Sequence, residues 1–71
     1  MNEKYIADVT VHEVNPSGWV NVIDKNKQPY ALTSHGATYG GIKVVRKGMK
    51  CKLYISSPLP EIKDFYFLRP T

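Results

Sequence analysis

Hydrophobic and polar residues alternate along two segments of the chain, and this alternation constrains the fold more than any other feature. In residues 5–14 small and β-branched residues alternate with polar ones, and in residues 49–55 apolar side chains alternate with lysine and tyrosine. A period of two residues is typical of a half-buried strand. No window of eleven residues has the spacing of an amphipathic helix, so the sequence predicts an all-β protein.

Turn-forming sequences separate these two segments from further short strands. Asn-Pro-Ser-Gly at residues 15–18 predicts a type I turn, a polar turn follows at residues 24–29, and Arg-Lys-Gly at residues 46–48 predicts a third tight turn. The predicted strands are residues 5–14, 19–24, 30–34, 49–55 and 62–68. In the last strand we expect Phe65 and Phe67 to face inward and Tyr66 to face outward, because neighbouring strand residues point to opposite faces.

The length of 71 residues allows one domain, residues 1–71. A flat sheet of five strands would leave one face and two edges bare, so we expect a small five-stranded antiparallel barrel. Residues 35–41 contain three glycines without periodicity and predict a loop, with at most a single helical turn nearby. An SH3-like barrel is the alternative, although that fold more often has a short turn at this position. The prolines in residues 56–61 exclude regular structure there.

Charge is distributed unevenly along the chain. Residues 1–24 contain one base and four acids, whereas residues 25–55 contain seven bases and no acid, and the whole chain has a net charge of +4. A segment whose positive charges are not neutralised by neighbouring acids is either a solvated face or a surface that attracts polyanions.

The chain has few residues suited to catalysis or metal binding. Ser34 and His35 are neighbours and would point to opposite faces of a strand, and Cys51 falls at an inward position, where burial makes a thiol inert. One cysteine with two separated histidines is too few for a structural zinc site. We therefore expect no enzyme, no metal and no cofactor. The unpaired cysteine and the lack of a secretory signal or an apolar span predict a cytoplasmic protein.

The order of the predicted elements resembles the cold-shock domain, a five-stranded barrel of the oligonucleotide-binding class. The family's first nucleic-acid motif, Lys-Gly-Phe-Gly-Phe-Ile, corresponds to Ser-Gly-Trp-Val-Asn-Val at residues 17–22, which retains the first glycine and the first aromatic residue. The second motif, Val-Phe-Val-His-Phe, corresponds to residues 30–35, with one aromatic residue and one histidine. The resemblance covers residues 5–68 and implies single-stranded DNA or RNA as the ligand.

The orientation of Trp19 decides what the second strand presents to solvent. If Val20 and Val22 point inward, then Trp19 and Asn21 share the outer face, where an indole is a platform for a base. The reversed register buries Trp19, and the sequence leaves both registers open. Tyr54 is expected outside, because Cys51 and its apolar neighbours occupy the inner face. The candidate nucleic-acid-binding residues are Trp19, Asn21, Tyr30, Tyr54, Lys25, Lys27, Arg46, Lys47, Lys50 and Lys52.

Two functions fit these features. In the first, a single strand of nucleic acid crosses the second, third and fourth strands, stacks on Trp19 and Tyr30, and is held by lysines. In the second, the barrel is a protein-interaction module, such as an accessory or phage-encoded protein that docks on a larger partner. Acids on the presumed binding face would favour the second function, because they repel phosphates. In both cases we expect a monomer or a weak homodimer and no membrane contact.

Overall fold

The computed structural model describes residues 2–57 and 63–71. Its elements in chain order are β1 (Asn2–Asn15), β2 (Trp19–Asp24), β3 (Pro29–Thr33), α1 (Ser34–Tyr39), β4 (Lys50–Ser57) and β5 (Phe65–Pro70). The strands form one antiparallel sheet in the order β3-β2-β1-β4-β5. The predicted all-β class and the five antiparallel strands are therefore confirmed. The prediction that residues 56–61 have no regular structure is wrong for Ser56 and Ser57, because β4 continues through them to the residue before the first proline. The rest of that prediction, residues 58–61, and the start of the last strand at Ile62 lie outside the described residues.

The sheet is strongly curled and remains open. Its two edge strands, β3 and β5, come into contact, although they are not neighbours in the hydrogen-bonded order. The 14-residue β1 is shared between the two halves, since its first part pairs with β4 and its second part with β2. This shape is consistent with a small barrel. No helix within residues 2–57 and 63–71 is long and apolar enough to cross a membrane.

The predicted turns are present, with side chains that explain them. The carbonyl of Asn15 accepts a hydrogen bond from the Gly18 amide at 3.0 Å, and the Asn15 side chain accepts one from the Ser17 amide at 2.8 Å. Gly18 has φ of +104°, a conformation that glycine adopts without steric cost. The Asp24 carboxylate closes the next turn by accepting hydrogen bonds from the amides of Asn26 and Gln28.

Two irregularities in β1 change which side chains face outward. Register shifts occur at Ile6 against β4 and at His12 against β2. An extra residue in one strand reverses the alternation beyond it. Tyr5 is therefore opposite Tyr54, on the side of the sheet away from the core, and Glu13 is opposite Asn21 on that same side. A strict period of two would have put Tyr5 and Glu13 with Val9.

The core lies on the concave side of the sheet. Its buried residues come from all parts of the chain: Val9, Val11, Val20, Val22, Leu32, Ala37, Ile42, Cys51, Leu53 and Leu68. Tyr66 packs against this cluster, while the fully buried Phe67 does not belong to it. The prediction for the last strand is therefore wrong for all three residues: Tyr66 shares the inner face with Leu68, whereas Phe65 and Phe67 lie on the opposite face of the sheet.

Residues 34–39 form the helix α1, where the sequence predicted the end of the third strand at residue 34 and a loop over residues 35–41. Thr33 is the N-cap, and its hydroxyl accepts a hydrogen bond from the Gly36 amide at 3.2 Å. The glycines permit close packing against the backbone of β5: a Cβ atom would come within 2.4 Å of the Tyr66 carbonyl oxygen at Gly36, and within 2.0 Å of the Leu68 carbonyl oxygen at Gly40. The helix thereby covers the free edge of β5.

Candidate nucleic-acid interface

The convex side of the sheet, called here the outer face, carries most of the candidate residues. Val20 and Val22 are buried in the core, so the alternating residues of β2, Trp19 and Asn21, lie on the outer face. Trp19 is 50% exposed and Asn21 is half-buried. Of the two registers that the sequence left open, the structure has the one that exposes the indole.

Tyr30 lies on the side opposite Trp19, which corrects the hypothesis that one strand of nucleic acid stacks on both. Tyr30 pairs with Val22, and directly paired residues of antiparallel strands share a face. The Tyr30 ring accordingly packs against the core and makes an edge-to-face contact with Tyr66, with 5.7 Å between the ring centroids.

Tyr54 is on the outer face, as predicted, but belongs to a cluster of rings. Phe67 stacks on it at 5.5 Å between centroids, Tyr5 meets it edge to face at 5.6 Å, and the Arg69 guanidinium lies 5.4 Å from its centroid. Tyr39 of α1 extends the cluster from Phe67. We call Tyr5, Tyr39, Tyr54, Phe65, Phe67 and Arg69 the outer aromatic cluster. Tyr54 is half-buried within it, so the more exposed ring of Tyr5 is the better platform.

Three of the predicted cations meet where β1 passes between β2 and β4. Lys50 and Lys52 are exposed on the outer face of β4, opposite Thr10 and Asp8 of β1, and Lys25 follows the end of β2. All three line an open groove of about 550 Å³, called here the lysine groove. Trp19 pairs with Asn15, which is five residues along β1 from Thr10, so the indole and the groove are at most about 17 Å apart along the strand.

The remaining predicted cations lie in turns. Lys27 is exposed in the turn between β2 and β3, and Arg46 and Lys47 are exposed in the tight turn before β4. That turn is attached to β1, because the Gly48 amide donates a hydrogen bond to the Val11 carbonyl at 2.8 Å. None of these three residues lines the lysine groove.

Acidic residues also lie on the outer face. Asp8 is opposite Lys52. Glu13 is opposite Asn21, and Asn21 is the neighbour of Trp19 on the outer face of β2. Glu3 forms an ion pair with Arg69. The outer face therefore carries both signs of charge, whereas the cation count of residues 25–55 alone predicted a positive surface.

A second groove adjoins the lysine groove and was not predicted. It has a volume of about 360 Å³ and shares Asp8, Asp24 and Lys25 with the lysine groove. We call it the tyrosine groove, because Tyr5 and Tyr30 both line it; its other lining residues are Ile6, Ala7 and Asn26. The Tyr5 hydroxyl donates a hydrogen bond to Asp8 Oδ1 at 2.9 Å, and this bond is the main reason that the pKa of Tyr5 is raised.

Other reactive groups are not assembled into a centre. Cys51 is 1% exposed, and burial raises the pKa of its thiol, so the sulfur stays protonated. His12 is exposed at the β1 irregularity, and His35 is exposed on α1 against Tyr39. In the part of the chain that the structure describes, no three histidine, cysteine or acidic side chains are grouped to hold a metal ion.

Comparisons of the chain with protein-family models, with curated proteins and with solved structures found no match. The fold class is therefore defined by the sheet and its topology: an all-β protein with an open, curled, five-stranded antiparallel sheet.

Proposed function

We propose that this domain binds single-stranded nucleic acid along its outer face. The observation that carries the proposal is the half-exposed Trp19 on the same face as Lys50 and Lys52. Aromatic rings stack on bases with about 1–3 kcal/mol each, and lysines follow the phosphates. The bases would stack on Trp19, and the backbone would continue over β1 into the lysine groove.

The topology supports the same proposal. The strand order β3-β2-β1-β4-β5, with a helix between β3 and β4, resembles that of the oligonucleotide-binding barrels. In that class an open five-stranded barrel binds oligonucleotides on the face of its second and third strands, next to the loop that joins the first two. Trp19 directly follows that loop here. The segment between β3 and β4 contains α1, which favours this class over an SH3-like barrel.

The cellular setting follows from the same proposal. A single buried Cys51 suits the reducing conditions of the cytoplasm, where nucleic acids are accessible. Asp8 opposite Lys52 and Asp24 next to Lys25 reduce the electrostatic attraction, so we expect modest affinity and binding as a monomer.

Titration with the oligonucleotide dT12 at low salt tests the proposal, followed by the fluorescence of the single tryptophan. We expect quenching, because a base stacks on the indole, and an affinity that falls with salt. Three lysine contacts to phosphates predict a slope of about −2 in a plot of log affinity against log salt concentration. An unchanged emission at low salt would refute the proposal.

Trp19→Ala is expected to weaken dT12 binding about 5- to 100-fold, measured by the anisotropy of a labelled oligonucleotide, because it removes a stacking platform. Val44→Ala is the matched control, since Val44 is another exposed apolar residue and lies in the loop after α1. The proposal requires the two variants to differ; equal affinities would contradict it.

Docking on a protein is the second candidate, and the acids on the outer face favour it. Asp8 and Glu13 would repel phosphates, whereas a protein partner can pair with both signs of charge. On this view the exposed Trp19 and Tyr5 are the contact residues, since tryptophan and tyrosine are enriched where interfaces are tight.

Glu13→Gln distinguishes the two candidates. Glu13 is next to Trp19, so removing its charge is expected to raise the affinity for dT12 about two- to fivefold at 50 mM salt and less at 200 mM, because salt screens repulsion. The measurement is the same anisotropy titration. If the domain docks on a protein instead, the titration stays flat for the wild type and for this variant alike.

A further inference from the structure

The tyrosine groove has the dimensions and lining of a site for one nucleobase. Its volume of about 360 Å³ is at the lower end of the range for small-molecule sites. Tyr5 and Tyr30 supply aromatic surface, and flipped or splayed bases are held by such side chains. It opens directly onto the lysine groove, so a strand whose phosphates follow Lys25, Lys50 and Lys52 would bring its next base to it.

The Tyr5 ring is fixed in position. The irregularity at Ile6 turns Tyr5 to the outer face, and the hydrogen bond from its hydroxyl to Asp8 holds the end of the side chain. The two rings meet edge to face and are not stacked, so Tyr54 does not cover both faces of the Tyr5 ring. Tyr5 is 48% exposed. Irregularities of this kind commonly re-aim a side chain at a functional site.

The two carboxylates determine which base fits. One oxygen of Asp8 accepts the Tyr5 hydroxyl, and one oxygen of Asp24 accepts two backbone amides. Within residues 2–57 and 63–71 the second oxygen of each carboxylate makes no hydrogen bond, so both can accept one from a ligand. Carboxylates accept hydrogen bonds from an exocyclic amino group such as N4 of cytosine, and Lys25 and Asn26 can donate to the ring nitrogen N3 beside it and to the O2 carbonyl on the same edge.

We infer that the tyrosine groove reads one base of the bound strand and selects a base with an exocyclic amino group over thymine or uracil. This inference rests on the proposed function. It also accounts for the presence of Asp8 and Asp24 beside the lysine groove, since a purely electrostatic phosphate surface would lack acids there. Asp8 and Asp24 then act as specificity determinants, and Trp19 as a platform without base preference.

Comparison of labelled dC12 with dT12 at pH 7.5 tests the inference, because the two bases are similar in size and differ in the hydrogen-bonding groups at positions 3 and 4; dU12, which lacks the 5-methyl group of thymine, is the control for the difference at position 5. We expect the wild type to bind dC12 about 5- to 100-fold more tightly than dT12. Asp8→Asn should reduce this preference without weakening dT12 binding, because it replaces one of the acceptor oxygens by a donating amide and removes a negative charge. Tyr5→Leu should weaken dC12 binding, whereas Tyr5→Phe, which keeps the ring, should retain most of it.

Glu13→Gln is the matched control, since Glu13 is an acid of the same face outside the tyrosine groove. It should change both affinities by the same factor. Equal binding of dC12 and dT12 by the wild type would overturn the inference and leave the proposed function standing. Failure of the wild type to bind either oligonucleotide at low salt would refute the proposed function itself.

Discussion

Substituting Gly36 and Gly40 together by alanine is expected to lower the free energy of unfolding by about 2–6 kcal/mol, a large part of the stability of the domain. Each added methyl group would meet a backbone carbonyl of β5, at 2.4 Å for Gly36 and 2.0 Å for Gly40, far inside van der Waals contact. A carbonyl in a paired strand cannot move aside as a side chain can, so α1 would have to move away from the edge of β5. Forced overpacking typically costs about 1–3 kcal/mol at each site, and a domain of this size has only about 4–10 kcal/mol of stability.

Urea denaturation followed by circular dichroism measures this loss. Thr38→Ala is the control, because it removes only an exposed hydroxyl from the same helix and should change the free energy of unfolding by less than about 0.5 kcal/mol. Alanine is also a better helix former than glycine. A double variant as stable as the wild type would therefore show that α1 does not depend on close packing against β5.

The glycines of α1 explain why the sequence predicted a loop there. Gly36 lowers the intrinsic helix propensity, Gly40 is the C-cap that ends the helix, and six residues are too few to show a helical period. The benefit of glycine at these positions comes from contact with Tyr66 and Leu68, about 30 residues away in the sequence. Such a contact leaves no local signal. In contrast, β2 was predicted with its observed bounds, because alternation and turn residues are local properties.

The candidate site was likewise predictable only where the position of a residue follows from alternation within its own strand. Side chains alternate between the two faces of a strand, which places Lys50, Lys52 and Tyr54 on one face, and the structure agrees. The alternation in β3 also indicates an inward ring for Tyr30, because Tyr30 shares its face with the apolar Leu32 and alternates with Ala31. No local pattern indicates on which face of the sheet Tyr5 and Glu13 lie, because their positions depend on the irregularities in β1.

These irregularities connect the fold to the proposed specificity. A regular β1 would turn Tyr5 toward the core and leave the tyrosine groove without one of its two rings. It would also turn Glu13 away from the outer face, where it lies opposite Asn21. The long central strand thus sets both the position of the groove and the charge of the outer face, since it pairs with β2 and with β4.

Phe67→Ala is expected to destabilise the domain by about 3–5 kcal/mol, because it opens a cavity at a fully buried ring. The burial of Phe67 comes from outside the main core: Tyr54 stacks on it, Tyr39 of α1 meets it edge to face at 5.1 Å, and the Arg69 guanidinium lies 5.2 Å from its centroid. The outer aromatic cluster is in this sense a second core, so β5 has buried side chains on both faces.

The measurement is again urea denaturation, with Phe67→Leu as the matched variant. Leucine keeps much of the volume and loses the ring contacts, so a cost of about 1–2 kcal/mol is expected. If Phe67→Ala cost no more than Phe67→Leu, the outer aromatic cluster would contribute little to stability. A large difference between the two variants would instead mean that a filled volume at position 67 supports the ring of Tyr54, and through it that of Tyr5. The Phe67→Ala variant should then bind dC12 more weakly than Phe67→Leu, although Phe67 itself does not line either groove.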